Sequence, residues 1–348
     1  MRSTEDKKMK RKSMQISGEN RESEISHGKK GRKSETEKIL SQKLESMNKN
    51  RDSYIKVRKL ASISQPGKGE DGLQKTNQDS YLVMQKINNS EYFNLFSVMD
   101  GHGLYGHLVS QFVTKYVNQK LNNHKKLKGI TNEEEIYYIL KKNNWEIIRH
   151  LFTHSDKELR NGGEIDANFS GSTDVMIVQI GNHLIVANVG DSRAIMCTSE
   201  GLVVLSKDQK PDDEEERKRI EKAGGEISQY EEDGEKSGPF RVWKPGQVYP
   251  GIAMSRSIGD FIATSLGVIS EPVITEMTIS KDTKFIVVCS DGVWEFLDNN
   301  KVVDMVLPFY EKNDPDGAAK LLIKESTKWW ENEDVVVDDI TAIVVFFN

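Results

Sequence analysis

Apolar residues in this chain come in short runs rich in Val, Ile and Phe, and each run is cut off by Gly or Asp. Phe93–Asp100 (FNLFSVMD), Leu184–Asp191 (LIVANVGD) and Phe285–Asp291 (FIVVCSD) all end in an aspartate, and Ile340–Phe347 (ITAIVVFF) starts directly after Asp338 and Asp339. Runs of this length and composition predict buried strands. The full set of expected strands is Asp79–Gln85, Tyr92–Asp100, Thr173–Ile180, His183–Val189, Arg193–Cys197, Leu202–Leu205, Lys284–Ser290 and Ile340–Phe347. Gly181-Asn182, between two of them, is a two-residue hairpin signal.

Helical spacing falls between these clusters, at Leu104–Leu121, Asn132–Ser155, Asp212–Ala223, Asn299–Tyr310 and Asp316–Trp330. Asp212 to Glu216 put negative charge on the first turn of one helix, with Arg217–Arg219 further on, as the helix dipole prefers. Helices in blocks beside strands that follow one another predict an α+β fold, not a doubly wound parallel sheet. Gly224–Tyr249 carries five glycines, two prolines and several charges without periodicity. It reads as a long surface loop or flap, and loops of that length are usually functional or mobile.

Composition divides the chain. Residues 1–60 hold 18 Lys+Arg against 9 Asp+Glu, so they carry +9 while the remainder carries −14. The first fifty or so residues have too few apolar positions to offset the entropy of ordering, and residues 1–55 are expected to be a basic, disordered tail ahead of one globular domain at 56–348. Within the tail, Lys7–Lys12 (KKMKRK) and Lys29–Lys33 (KKGRK) suit nuclear import, an anionic surface or a plain solvated charge run, of which the last is the commonest. Thr36–Met47 has some helical spacing through Ile39, Leu40 and Leu44. No apolar stretch approaches the roughly 18 residues of a membrane span, and the charged start lacks a signal peptide's apolar segment. An intracellular protein, cytoplasmic or nuclear, is expected. Two cysteines only, Cys197 and Cys289, both in or beside apolar runs, read as small buried hydrophobes in a reducing compartment.

The chemistry returns to the strand ends. Carboxylates gathered at a sheet rim repel one another unless a cation holds them, and oxygen donors without Cys or a His-Glu-x-x-His pattern select magnesium, manganese or calcium. Asp100-Gly101-His102-Gly103 follows one strand and opens a helix, and Ser290-Asp291-Gly292-Val293-Trp294 repeats the arrangement after another. Gly190-Asp191-Ser192-Arg193 lies between two strands, and Asn77-Gln78-Asp79 adds three oxygen-bearing side chains ahead of a third. Taken singly, each is more often a turn than a site. Their shared position at strand ends suggests convergence.

In this order, Asn77-Gln78-Asp79, Asp100-Gly101-His102-Gly103, Ser170-Gly171-Ser172-Thr173, Gly190-Asp191-Ser192-Arg193, Met254-Ser255-Arg256-Ser257-Ile258-Gly259-Asp260, Asp291-Gly292-Val293-Trp294 and Asp338-Asp339-Ile340-Thr341 resemble the metal-dependent PP2C (PPM) family of serine/threonine protein phosphatases. Asp208–Pro211 (DQKP) and Ala223-Gly224-Gly225 fit the same pattern, and the resemblance runs from about Val57 to the end. It implies a four-layer αββα sandwich, two central antiparallel sheets flanked by helices, hydrolysing phosphoserine and phosphothreonine in proteins. The implied cofactors are two Mn²⁺ or Mg²⁺ ions and a possible third, with direct attack by a water bridging the first two.

By position, Asp100 would bridge the two ions, Asp291 and Asp338 would complete one of them, and the Gly101 carbonyl with Gln78 and Asp79 would serve the other. Asp191, with Asp291 and Glu295, would form a weaker third site. His102 would be the general acid, and Lys75 with Gln74 would face the phosphate. Many members carry Glu where Gln78 stands, Arg where Gln74 stands and Asp where Glu295 stands. Loss of the guanidinium removes a bidentate phosphate clamp, so weaker phosphate affinity is expected. The alternatives are a pseudophosphatase acting as a binding or regulatory module, supported by Gln74 and Gln78, and a structural calcium-binding sandwich, which would not need His102. The expected partners are phosphoproteins, with no nucleic acid required and a monomeric state.

Overall fold

The computed structural model describes residue 51, residues 53–333 and residues 336–348. The basic clusters at Lys7–Lys12 and Lys29–Lys33 and the Thr36–Met47 segment lie outside the described residues. The strands in chain order are β1 (Val57–Gln65), β2 (Ser80–Met84), β3 (Phe93–Met99), β4 (Gly101–His102), β5 (Gly171–Ser172), β6 (Asp174–Ile180), β7 (His183–Val189), β8 (Arg193–Thr198), β9 (Gly201–Val204), β10 (Glu226–Glu232), β11 (Glu235–Trp243), β12 (Pro250–Ile252), β13 (Ile258–Gly259), β14 (Val273–Thr278), β15 (Thr283–Cys289) and β16 (Ile340–Phe347). The helices are α1 (Gly106–Asn122), α2 (Glu133–Gly162), α3 (Glu214–Lys222), α4 (Phe261–Thr264), α5 (Asp291–Trp294), α6 (Asn299–Lys312) and α7 (Pro315–Glu333).

Two five-stranded antiparallel sheets, ordered β1-β16-β15-β8-β9 and β14-β7-β6-β3-β2, form the centre. Side chains alternate between the faces of a strand, and here both faces are covered. Phe96, Val98, Ile177 and Val186 of one sheet meet Met196, Ile286, Val288 and Ile343 of the other between the sheets. The intervening residues Leu95, Met176 and Ile185 pack under Val109 and Val113 of α1 and Leu151 and Phe152 of α2. On the far side, Phe285, Val287 and Val344 pack under Val302 and Val306 of α6 and Leu322 of α7. This is the expected αββα sandwich. Burial on both faces is why these strands read as unbroken apolar runs, each large side chain contributing about 1.5–3 kcal/mol.

Several details differ from the sequence reading. Gly224–Tyr249 is not a structureless loop, because β10 and β11 form an antiparallel hairpin pinned to β12. Its turn is Asp233-Gly234, both with left-handed φ (53° and 85°), a turn pair that favours hairpins. The arms are largely exposed and polar, so no apolar alternation announces them. β1 and β14 were also absent from the expected strands. α2 reaches Gly162, past the expected Ser155, and is broken at Lys142–Trp145, where Asn143, Asn144 and Trp145 take left-handed φ. Residues at the start of the described chain are fastened to the body: Arg51 pairs with Glu133 at 2.7 Å, the Tyr54 hydroxyl donates to Glu134 at 2.7 Å and the Ile55 amide donates to Asn182 Oδ1 at 2.8 Å.

Candidate functional site

The ends of β3 and β15, and the residues leading into β2 and β16, meet at one rim of the sandwich, and Asp100, Asp291, Asp79 and Asp338 come together there. The Asp100 amide donates to Thr173 Oγ1 at 2.9 Å while its carbonyl accepts from the Thr173 amide at 2.9 Å. Ser290 joins two more elements: its Oγ donates to Asp79 Oδ2 at 2.7 Å and accepts from the Thr341 amide at 3.0 Å. Gly101 is packed so closely that a Cβ there would strike the carbonyls of Gly106 and Gln78, which fixes the small β4-β5-β13 sheet beside the carboxylates.

The electrostatics follow from crowding like charges. Burial first, and then the charges of Asp291, Asp79 and Asp338, drive Asp100 well above the ordinary carboxylate range. Burial, followed by Asp191 and Asp338, pushes Asp291 up to about 8. Asp79 rises to about 7, mainly through burial, against the opposing hydrogen bonds of Thr341 and Ser290. Among the described residues no three His, Cys, Asp or Glu side chains form a compact set that could hold an ion as they stand; the cluster is open, with Lys75 3.2 Å from Asp338 and Lys210 2.5 Å from Asp191. Its donor chemistry nevertheless fits a hard divalent cation. All donors are oxygens, and Asp79 Oδ1, Asp191 Oδ1 and Asp291 Oδ1 are buried without a hydrogen-bond partner, lone pairs of the kind such an ion takes up.

His102 stands beside this cluster, its side chain 27% exposed, with Nε2 2.6 Å from Asp260 Oδ2. Burial lowers the imidazole pKa, but the charge and hydrogen bond of Asp260, joined by the charges of Asp191 and Asp291, together outweigh it, so His102 is raised overall. The pair depends on an absent side chain. Gly171 lies between His102 of β4 and Gly259 of β13, and a Cβ at Gly171 would collide with the Asp260 carboxylate.

Asp191 and the Asp208–Pro211 segment interlock residue by residue. Arg193 makes a bidentate pair with Asp208 at 2.8 and 2.7 Å, Gln209 accepts from the Gly190 amide at 2.7 Å and donates to the Asn188 carbonyl at 2.9 Å, and Lys210 takes Asp191. The Gln78 side-chain amide donates to the Gly103 carbonyl at 2.7 Å. Gln74 is exposed and bridges to Lys68, so of the two residues expected near phosphate only Lys75 contacts the cluster. Glu295 is exposed at the end of α5.

Three features escaped the sequence reading. Asp260 ends the Met254–Asp260 segment, and nothing local marks it as the partner of His102. Asp339, to which the sequence assigned no role, is buried and accepts from the amides of Gly67 at 2.7 Å and Gln78 at 2.8 Å. Glu216 of α3 accepts from Arg256 at 2.6 Å, from Arg219 at 2.7 Å and from the Ser255 hydroxyl at 2.6 Å, tying the helix to the segment that carries Asp260.

The family model described as "Protein phosphatase 2C" matches residues 66–329. The chain is 33% identical over 302 residues to "Probable protein phosphatase 2C 35" of Arabidopsis thaliana, covering 81% of this chain and 82% of that protein. It is 32% identical over 303 residues to "Probable protein phosphatase 2C 48" of Oryza sativa subsp. japonica, covering 81% and 82%. Among solved structures it resembles a serine-threonine phosphatase 2C from Toxoplasma gondii, with a TM-score of 0.69 at 19% identity over 83% of this chain and 94% of the other. A C. elegans sex determining protein shares the fold with a TM-score of 0.63 at 17% identity, over 89% and 71%.

Proposed function

This chain belongs to the protein phosphatase 2C family and is a protein phosphatase, and we propose that it is catalytically active, hydrolysing phosphoserine and phosphothreonine by direct attack of water with Mn²⁺ or Mg²⁺ as cofactor. The observation that carries this reading is the cluster of Asp79, Asp100, Asp291 and Asp338, with buried carboxylate oxygens lacking partners, set beside the His102–Asp260 pair.

Asp100, Asp291 and Asp338 would hold one ion, and Asp100, Asp79, Gln78 and the Gly101 carbonyl a second; Asp191 would serve a weaker third. When bound, such cations lower the pKa of a coordinated water and draw charge from phosphoryl oxygens. The chain's own residues then do the rest. Lys75, next to Asp338, offers a positive charge to the phosphate. His102 held protonated by Asp260 gives its proton to the departing serine or threonine oxygen. Gln78 brings no charge, so its ion would be held less tightly than by a carboxylate. Residues 56–348 would constitute the catalytic domain, and the basic segment before them would supply no ligand.

Turnover of a phosphothreonine peptide with Mn²⁺, Mg²⁺ or excess chelator tests this. Activity that needs either ion and vanishes on chelation is expected. Activity surviving full chelation would sink the metal-dependent reading, and none with any ion would leave the pseudophosphatase reading, in which the fold only binds.

A further inference from the structure

We propose that an apolar ledge beside His102 selects substrates carrying a large apolar residue next to the phosphorylated serine or threonine. This rests on the phosphatase reading above and names its substrate class. Exposed apolar side chains scattered singly need no explanation, whereas a contiguous group beside a site does. Leu104 (75% exposed), Tyr105 and Leu108 follow His102 on the way into α1, and Phe169 (51% exposed) lies next to them. The Tyr105 amide donates to Ser170 Oγ at 2.9 Å, and the Phe169 carbonyl abuts Gly103 so tightly that a Cβ on Gly103 would strike it. The Phe169 ring then meets the Tyr249 ring edge-on, with centroids 6.0 Å apart. These backbone contacts bring the exposed side chains of Leu104, Tyr105, Leu108 and Phe169 into one neighbourhood between His102 and Tyr249 at the foot of the β10–β11 hairpin, and none of the five apolar or aromatic side chains is charged.

Its position selects the occupant. Leu104 is two residues from His102, so their Cα atoms are at most about 7 Å apart. A phosphopeptide whose leaving oxygen reaches His102 carries its next one or two residues across that distance, because an extended chain advances about 3.3 Å per residue. A separate partner lying on the ledge would cover the site. The substrate is therefore the chain that fits there, and an apolar flanking side chain is the one whose burial the ledge rewards.

The test uses two phosphothreonine peptides, identical except that the residues flanking phosphothreonine are Leu in one and Ser in the other. With Mn²⁺, the wild type should show kcat/KM about 10-fold higher on the Leu peptide, the low end for apolar recognition. In L104A/F169A the ratio should fall to about 1, mainly through a higher KM for the Leu peptide. Equal wild-type rates on the two peptides would overturn the proposal, as would a preference retained in the double variant. Leu104→Lys, at a largely exposed position, repeats the test should the double variant misfold. If neither peptide is turned over with Mn²⁺ or Mg²⁺, the phosphatase reading fails instead, and fluorescence anisotropy with the same peptides decides the ledge: tighter binding of the Leu peptide supports it and equal binding refutes it.

Discussion

Replacing Glu216 with Gln strips the counter-charge from two arginines at once. Glu216 is 8% exposed and its carboxylate faces Arg256, Arg219 and the Ser255 hydroxyl. Burial raises its pKa, and the hydrogen bonds from Arg256, Arg219 and Ser255 together overcome that, bringing it from 4.5 down to about 2. At about 1.36 kcal/mol per pH unit, the drop corresponds to about 3 kcal/mol of folding stability. Because the folded pKa is depressed, the contribution is complete above the unfolded value near 4.5 and is lost as pH falls through 2. E216Q should therefore be about 3 kcal/mol less stable than wild type in urea unfolding followed by circular dichroism at pH 7, in line with the cost of breaking a buried pair. The gap should narrow by up to about 1.4 kcal/mol for each pH unit between 4.5 and 2, as the carboxylate takes up its proton in the unfolded chain while the folded one stays ionised. A gap under about 1 kcal/mol at pH 7, or one that does not shrink on acidification, would refute the assignment.

Asp291→Asn should cut turnover of a phosphothreonine peptide by about 100-fold or more, a barrier increase of at least about 2.7 kcal/mol, while urea unfolding shows no loss of stability, since a buried like charge is removed; normal turnover would refute the proposed ligand role. Asp260→Asn should lower kcat more for alkyl than for aryl phosphates, because an alkyl leaving group needs the proton from His102 and an aryl one does not; equal losses would contradict an acid role for that histidine. Deleting residues 1–50, which keeps Arg51 and its pair with Glu133, should leave hydrolysis of a small aryl phosphate within about 2-fold of the full chain, since none of the proposed ligand or acid residues lies in that segment and changes outside such groups cost little; a large drop would mean the segment supports the domain.

The inner strands of the two central sheets were legible because they are covered on both sides, whereas the edge strands β1 and β14, half-buried or exposed along their length, were not. A run such as Phe285–Cys289 has no polar position to confuse its period. The β10–β11 hairpin was not, since Glu226–Glu232 presents mostly polar, exposed side chains and only Asp233-Gly234 marked a turn. At the rim, the aspartates announced themselves by ending apolar runs. Their helpers could not, because each acts across the fold: Asp260 reaches His102 over 158 residues, and Glu216 reaches Arg256 over 40. Such pairs have no local signature. The nearest hint to the first is Gly171, a residue whose value lies in what it leaves out.

The adjacent pair Asp338-Asp339 divides its labour by direction. Asp338 meets Lys75 at the carboxylate cluster, whereas Asp339 turns inward to the amides of Gly67 and Gln78. Just beyond them begins β16, the strand that joins β1 to β15. Sliding β16 by one residue so that Asp339 took the place of Asp338 would put Ile340 where Asp339 stands, leaving the amides of Gly67 and Gln78 bare in the interior, and would also flip every side chain of the strand to the wrong face. The doublet therefore works as an alignment key: the frame that satisfies the two buried amides is also the frame that sets Asp338 beside Lys75, so one register fixes both the sheet and the place of that carboxylate.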